Sequence, residues 1–223
     1  MSNVRRKSRQ GRLSREQVID AAVRLADEAG VESISMRKLG QALGVEAMSL
    51  YNHVANKDDV LSGLADRVAT EFEAPRDDEP WDAAIRRSAV SARGALKRHP
   101  WAAKLMLSAA WVAPARLAYM DALLRCLRRA GFSDEETYHA YHIIEGHIFG
   151  FSMWLAGHEM PASADDLAAL AEEFVQRLHL EDYPDVLQHA RMHLAKGTHQ
   201  EVSAFELGLD LVLDGLRSMR ASG

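Results

Sequence analysis

The chain has 223 residues, enough to bury one large hydrophobic core or two smaller ones, and its 48% hydrophobic share is ordinary for a globular protein. No run of about 18 uncharged apolar residues occurs, so we expect no membrane span, and no apolar stretch follows the basic N-terminus as it would in a secretory signal. The single cysteine, Cys126, excludes an internal disulfide and is typical of a protein of the reducing cytoplasm.

The net charge of −5 conceals an asymmetry along the chain. Residues 1–57 contain ten Lys and Arg against six Asp and Glu, a balance of +4, whereas the remainder contains 17 against 26, a balance of −9. This pattern indicates that only the first part of the chain approaches a polyanion. Residues 1–11 are basic and without periodicity, so we expect a disordered arm there, either a solvated tail or a segment that contacts the same polyanion.

The first two predicted helices have clear start and stop signals. Ser14 opens a capping box for the first helix, which keeps apolar residues on one face until Gly30 ends it. Ser35 caps a second helix over 36–43, which stops at Gly44. The apolar face predicted for the first helix contains Val18, Ala22, Leu25 and Ala29.

Two more helices are predicted before the helical pattern is interrupted. A short third helix runs over 46–54, and Asn56 caps a fourth. The segment 74–80, with two prolines, then separates a domain over 12–73 from a domain over 81–223. The buried stripe predicted for the fourth helix consists of Leu61, Leu64, Val68 and Phe72.

Helical periodicity continues to the end of the chain, and we therefore predict an all-α fold. Ser133 begins another capping box, directly after Gly131, which can close the preceding helix. The further helices are predicted over 81–98, 101–110, 114–130, 134–157, 164–179, 184–196 and 203–219.

The stretch 36–54 has the sequence pattern of a helix-turn-helix. Gly40 is small where two helices cross, and Gly44 can supply the positive φ that the tight turn requires. We expect a small core beneath the turn, formed by Leu39, Leu43, Val45 and Leu50. We call the outward residues of the third helix the reading face: Ala47, Met48, Ser49, Tyr51, Asn52 and His53. Such a face suits hydrogen bonds and methyl contacts with base edges in the major groove, although an ordinary helical hairpin would show the same turn.

From Leu13 to about Phe72 the sequence closely resembles the tetracycline-repressor (TetR) family, in the three-helix arrangement and in Leu50-Tyr51-Asn52-His53 followed by Asn56-Lys57. The resemblance implies that Ser49 and Tyr51 face double-stranded DNA, with Tyr51 and His53 near its backbone. It also implies that Lys57 meets a phosphate at a helix N-terminus and that Arg37 contacts the backbone or a base.

The C-terminal half is similar to the tetracycline-repressor subfamily in 99–101, 130–133 and 205–211. That resemblance implies a domain that binds a small-molecule inducer and forms a homodimer through 134–157 and 203–219. Leu207, Leu211 and Leu216, together with Gly208 and Gly215, indicate an apolar helix face that permits close approach. From the residues alone, an intramolecular core would look identical.

The family's founding members bind tetracycline with magnesium through histidines. Here Glu73 stands at the first of those positions, and no histidine lies between His53 and His99. Because the C-terminal part is also rich in Trp, Met and Phe, we expect an inducer with substantial apolar surface that needs no metal and no cofactor, bound between the 101–130 region and the 134–157 helix. The residues expected to contact it are Trp101, Met106, His142, Glu145 and Phe149.

Other activities have weaker support. His189 and His193 have the spacing of a metal pair, but Ala190 stands where a zinc peptidase has glutamate, so we predict no metal site. Neither a phosphate loop nor a nucleophile elbow occurs in the sequence, which argues against an enzyme. A carrier of apolar molecules without regulated DNA contact remains an alternative to a ligand-responsive repressor that binds a palindromic operator, and sequence-specific retardation of a palindrome would separate the two.

Overall fold

The computed structural model describes residues 13–108, 113–156, 173, 175, 177, 179–196 and 200–222. Within those ranges the regular structure is helical and no strand occurs, which confirms the all-α prediction. The arm over 1–11 and most of the predicted 164–179 helix lie outside the described residues, although Glu173, Val175 and Arg177 are helical. The helices are α1 (Arg15–Ala29), α2 (Met36–Leu43), α3 (Ala47–Leu50), α4 (Lys57–Ala69), α5 (Trp81–Arg98), α6 (Pro100–Leu107), α7 (Pro114–Arg129), α8 (Asp134–Ala156), α9 (Pro184–Lys196) and α10 (Gln200–Ser222).

The predicted caps fix the starts of the N-terminal helices. The hydroxyl of Ser14 accepts the Gln17 backbone N–H at 3.2 Å, and the Gln17 side chain accepts the Ser14 N–H at 3.0 Å, so the capping box is complete. The hydroxyl of Ser35 accepts the Lys38 N–H at 3.3 Å at the start of α2, and the side chain of Asn56 accepts the Asp59 N–H at 2.9 Å at the start of α4. Local chemistry therefore fixes these helix starts.

The third helix is shorter than predicted. Regular α-helix covers Ala47–Leu50 only, and the chain then tightens through three-residue turns in which Asn52 N–H donates to Ser49 O and His53 N–H donates to Leu50 O. Such turns commonly close the last turn of a helix. The chain has to turn there because Asn56, a few residues later, already caps α4.

Elsewhere the boundaries differ from prediction by a few residues. The helix predicted over 101–110 ends at Leu107, because Ser108 adopts an extended conformation. The helix predicted over 203–219 is longer at both ends, since α10 runs over Gln200–Ser222. No helix among the described residues is long and apolar enough to cross a bilayer.

Two compact units make up the described residues. The first contains those of Met1–Glu73 and Gly94–Asp121, and the second contains those of Ala74–Arg93 and Ala122–Gly223. The first unit thus takes in 94–121, which the sequence had placed with the C-terminal part. The assignment of 12–73 and 81–223 as functional domains stays a prediction.

In the first unit α1 packs against α2, α4 and α6. The buried face of α4 is centred on Val60, Leu64 and Val68, so Leu61, about 100° away around the helix, is only half-buried. In α1, likewise, Leu25 is half-buried and Ala29 is exposed, whereas Val18 and Ala22 are buried. The other large buried side chains of this unit include Ile19, Leu39, Leu50, Phe72, Leu96 and Tyr119.

In the second unit α8 packs against α10. The rings of His147 and Phe205 stack with centroids 4.7 Å apart, and the Nε2 of His147 lies 2.9 Å from the Phe205 carbonyl oxygen. Gly208 sits against the same imidazole, because a Cβ added there would lie 2.6 Å from His147 Cε1. The inner face of α10 consists of Phe205, Leu209, Leu213 and Leu216.

This arrangement corrects one prediction about the last helix. Leu216 is buried, whereas Leu207 and Leu211 are 62% and 66% exposed, so the three leucines do not share one face. Nine residues separate Leu207 from Leu216, which is half a revolution at about 100° per residue.

Candidate nucleic-acid interface and effector residues

The turn between α2 and α3 depends on Gly40. A Cβ added at Gly40 would lie 2.8 Å from the Val45 carbonyl oxygen and 3.1 Å from the Ala47 nitrogen, both of them backbone atoms. The Val45 N–H also donates to the Gly40 carbonyl at 2.9 Å. Gly44, at φ 67° and ψ 31°, has the left-handed conformation that ends α2. Both glycines therefore act as the sequence predicted.

The core beneath this turn is smaller than predicted. Leu39 and Leu50 are fully buried, whereas Leu43 and Val45 are half-buried. Leu50 is the last residue of α3 and turns inward. The two buried leucines pack α3 against α2, so that the remaining residues of α3 face away from the core.

The reading face is open to solvent. Met48 is 75% exposed, the highest value among the large apolar side chains that the structure describes. Tyr51 and Asn52 are also exposed, and the other three members of the reading face, Ala47, Ser49 and His53, are half-exposed. The Ser49 hydroxyl donates to the Glu46 carbonyl at 2.6 Å, which leaves its oxygen lone pairs for a partner.

Cations lie on both sides of the reading face in the sequence. Arg37 and Lys38 are exposed in the first turn of α2, and Lys57 is exposed as the first residue of α4. Exposed cations at helix starts can contact phosphate oxygens, and the free N–H groups of a helix start favour the same anions.

An ion pair fixes the start of α4 to α1. The Arg15 guanidinium donates to Asp59 at 2.7 Å, and the Asp59 carboxylate also accepts the Ala55 N–H at 2.9 Å. The hydrogen bond from Arg15, followed by that from Ala55, lowers the pKa of Asp59 below its ordinary value. The carboxylate is therefore ionised at neutral pH and holds the backbone just before Lys57.

The five predicted effector residues fall in both units. Trp101 and Met106 belong to the first, where the Trp101 indole N–H donates to Asp27 at 2.8 Å and Met106 is buried. His142, Glu145 and Phe149 belong to the second and share α8. Their assignment to an effector site stays a prediction.

The three residues on α8 have different surroundings. Phe149 is buried, and Glu145, also buried, accepts the Tyr141 hydroxyl at 3.2 Å. His142 is exposed, and its Nδ1 lies 2.7 Å from the Tyr138 carbonyl oxygen one turn earlier. Of the three, therefore, only Glu145 and Phe149 lie in the interior of this unit.

Two features of the second unit were missed from the sequence. Arg93 is buried, with its guanidinium carbon 5.3 Å from the ring centre of Phe151 and 5.6 Å from that of Phe205. Its position on the helical stripe of Ile85, Ala89 and Ala92 was visible in the sequence. A cleft of about 570 Å³ is the second feature; it includes none of the five effector residues and is lined by Gly131, Phe132, Ser133, Glu135, Glu136, His139, Met219 and Arg220.

The sequence matches two family models. Residues 18–64 match the model described as "Bacterial regulatory proteins, tetR family", and residues 74–220 match "Tetracyclin repressor-like, C-terminal domain". The second model alone covers more than half of the chain.

Curated relatives and solved structures agree with these matches. The chain is 32% identical to Tetracycline repressor protein class C of Escherichia coli, over 94% of this chain and 93% of that protein. It is 29% identical to the HTH-type transcriptional repressor DrrR1 of Streptomyces coeruleorubidus, over 94% of this chain and 79% of that protein. A solved structure of a possible TetR family transcriptional regulator from Streptomyces coelicolor A3(2) is 29% identical, with a TM-score of 0.73 over 92% of this chain and 100% of that one.

These findings confirm the resemblance seen in the sequence, and the names of the relatives are those of regulators and not of enzymes. The chain belongs to the TetR family of DNA-binding transcriptional regulators.

Proposed function

We propose that this chain is a repressor that binds a palindromic operator as a homodimer and is released from it by a small-molecule inducer. The observation that carries the proposal is the α2–turn–α3 arrangement, in which Gly40 seats α3 closely and leaves the reading face exposed. The matches cover most of the length of relatives that are named as repressors, which favours repression over activation.

Support for a dimer comes from α10. Leu207 and Leu211, four residues apart and therefore on one side of the helix, point away from the core of the second unit. Gly215 lies on the same side, two turns after Leu207, and a Cβ there would meet nothing within 4 Å. Exposed leucines beside a bare backbone suit close packing against another helix.

Helix α8 has a matching surface. Ile143 and Met153 are exposed, and between them Gly146 and Gly150 have open space where a Cβ would be. These four residues lie at i, i+3, i+7 and i+10, which places them along one side of the helix. A twofold axis beside α8 and α10 would bury both surfaces against their copies in a four-helix bundle.

In a dimer, the separation of the two reading faces decides whether both can bind one duplex. Two recognition helices bind successive major grooves when they lie about 34–36 Å apart, so a palindrome with that spacing is the expected operator. An inducer that prefers a different separation reduces the population of dimers that can bind DNA.

The first unit contains a contact path suited to this response. Helix α6, which carries Trp101 and Met106, packs against α1 and α4. Since α1 packs against α2 and α4 begins at Lys57, a shift of α6 would move the parts that contact DNA. An inducer with a large apolar surface, bound without metal, would use burial as its main source of affinity.

The proposal is tested by selection of bound duplexes from random DNA with the full-length protein. We expect a palindrome whose half-sites are one helical turn apart, or a multiple of it. Recovery of asymmetric sites, or of no preferred sequence, would contradict the proposal. Candidate inducers are then titrated against this operator with and without a chelator, and we expect release that the chelator does not change.

A further inference from the structure

We infer that the base pairs read by α3 are A·T pairs, with a thymine methyl group of each half-site packed against Met48. This inference rests on the proposed function and names the class of operator that the reading face fits. It follows from the exposure of Met48, from the residue types around it and from the rigid seat of α3.

Met48 is the dominant apolar group on the reading face. Its side chain is 75% exposed, and Tyr51 and Asn52, three and four residues later, lie on the same side of the chain. A flexible thioether that is left in water has no packing role in the free protein. In the major groove the one apolar group on a base edge is the thymine methyl, so thymine is the base that Met48 can bury.

The reading face lacks the groups that read guanine most often. No Lys or Arg occurs between Lys38 and Lys57, so a bidentate cation contact to guanine O6 and N7 has no donor on α3. The hydroxyl of Ser49 already donates to the Glu46 carbonyl at 2.6 Å and offers only lone pairs, which suit an amino group of adenine or cytosine. Asn52 has the amide that pairs with adenine N6 and N7.

The backbone position of Met48 is fixed by the fold. Backbone atoms of Val45 and Ala47 lie so close to Gly40 that even one methyl group there would be in conflict with them. Leu50, two residues after Met48, is fully buried and holds the other end of α3. We therefore expect the backbone of α3 to present Met48 to the same base step in each half-site.

The test replaces thymines of the selected operator one at a time by deoxyuridine, which removes only the 5-methyl group. In each half-site, the replacement of one thymine should weaken the binding of wild-type protein about fourfold. This factor corresponds to about 0.8 kcal/mol, the free energy of burying one methyl group. Met48→Ala should bind the thymine and uracil duplexes equally. The matched control is Met192→Ala, an exposed methionine on α9, which should keep the fourfold difference.

The outcomes separate this inference from the proposed function. Positions read by α3 are identified as those whose base preference changes in Ser49→Ala and Asn52→Ala. The inference would be overturned by G·C pairs at those positions. It would also be overturned if replacing thymine by deoxyuridine weakened binding equally for wild type and Met48→Ala. Either result would still be compatible with a sequence-specific repressor. A wild-type protein that selects no sequence would contradict the proposed function itself.

Discussion

The imidazole of His99 lies against the carboxylate of Asp27, with Nδ1 and Oδ1 2.7 Å apart. The same oxygen accepts the indole N–H of Trp101 at 2.8 Å, and on the other side of the ring Nε2 lies 3.4 Å from Glu71. Arg98 donates to Glu71 at 2.7 Å. The end of α1 and the segment after α4 are thus joined to the α5–α6 junction by one nearly buried histidine.

Replacing Asp27 by alanine should destabilise the protein by about 2 kcal/mol, because two partly buried donors lose their acceptor together. The measurement is urea unfolding of the full-length chain at neutral pH. Asp20→Ala is the matched control on the same helix, since Asp20 pairs with Arg67 at 3.3 Å and both side chains are about half-exposed. The control should lose less than about 1 kcal/mol. Equal losses in the free energy of unfolding for the two variants would show that the His99 contact stabilises the protein no more than an exposed ion pair does.

Gly40→Ala should remove sequence-specific DNA binding. The added methyl group would approach the Val45 carbonyl oxygen to 2.8 Å, and because this is backbone the α2–α3 turn has to open. We expect a destabilisation of about 1–3 kcal/mol and at least a tenfold loss of operator affinity. Gly94→Ala is the control, because its methyl group would lie 3.7 Å from Arg98, an ordinary contact. It should leave stability unchanged or raise it by about 0.5–1 kcal/mol. A Gly40→Ala protein with wild-type affinity would show that the close packing is not required.

Stability should depend on pH through Asp82. The guanidinium of Arg217 donates to Asp82 through Nε at 2.9 Å and Nη2 at 2.6 Å, and this hydrogen bonding lowers the pKa of the Asp82 carboxyl. A lowered pKa in the folded state adds stability above the unfolded value of about 3.9, and that contribution is lost as the pH falls through the folded value.

Asp82→Asn should therefore lower the free energy of unfolding by about 1 kcal/mol or less at pH 7, and the difference from wild type should shrink below about pH 4. Urea unfolding at pH 7 and at pH 3 measures both values. Asp214 contacts the same guanidinium but is far more exposed, so Asp214→Asn serves as the control and should change less. A difference that grows on acidification would have the wrong sign for this ion pair.

Lys57→Ala should weaken binding to all duplexes by a similar factor. Lys57 is exposed at the start of α4, where a phosphate would meet both its ammonium group and the helix N-terminus. Removing one phosphate contact should flatten the slope of log affinity against log salt by about one. Affinities for the operator and for a scrambled duplex, each measured over a range of salt, provide the check. A loss confined to the operator would assign Lys57 to base recognition instead.

The sequence predicted those parts of the fold that depend on neighbouring residues. The caps at Ser14, Ser35 and Asn56 and the left-handed Gly44 are decided within a few positions, and all four were predicted correctly. The exposure of Met48, Tyr51 and Asn52 agrees with the same local pattern, and the contact of the reading face with DNA stays a prediction.

Contacts between distant residues could not be predicted. Asp27 and His99 are 72 positions apart, and nothing in either neighbourhood indicates the other. For the same reason the sequence did not show that 94–121 joins the first unit. The single apolar face predicted for α10 was a different kind of error, since Leu207 and Leu216 lie half a revolution apart on any α-helix and their spacing alone could have separated them.

The most direct test of a dimer that reads DNA through α3 is the mass of the operator complex in solution, for wild type and for Leu207→Glu with Leu211→Glu. Wild type should add two copies of the 24.8 kDa chain to each palindrome. The double variant should be monomeric and bind at least tenfold more weakly, because charges replace the apolar surface of α10. Leu117→Glu, at an exposed leucine on α7, should behave as wild type. One copy of wild-type protein per palindrome, or full affinity in the double variant, would contradict the account.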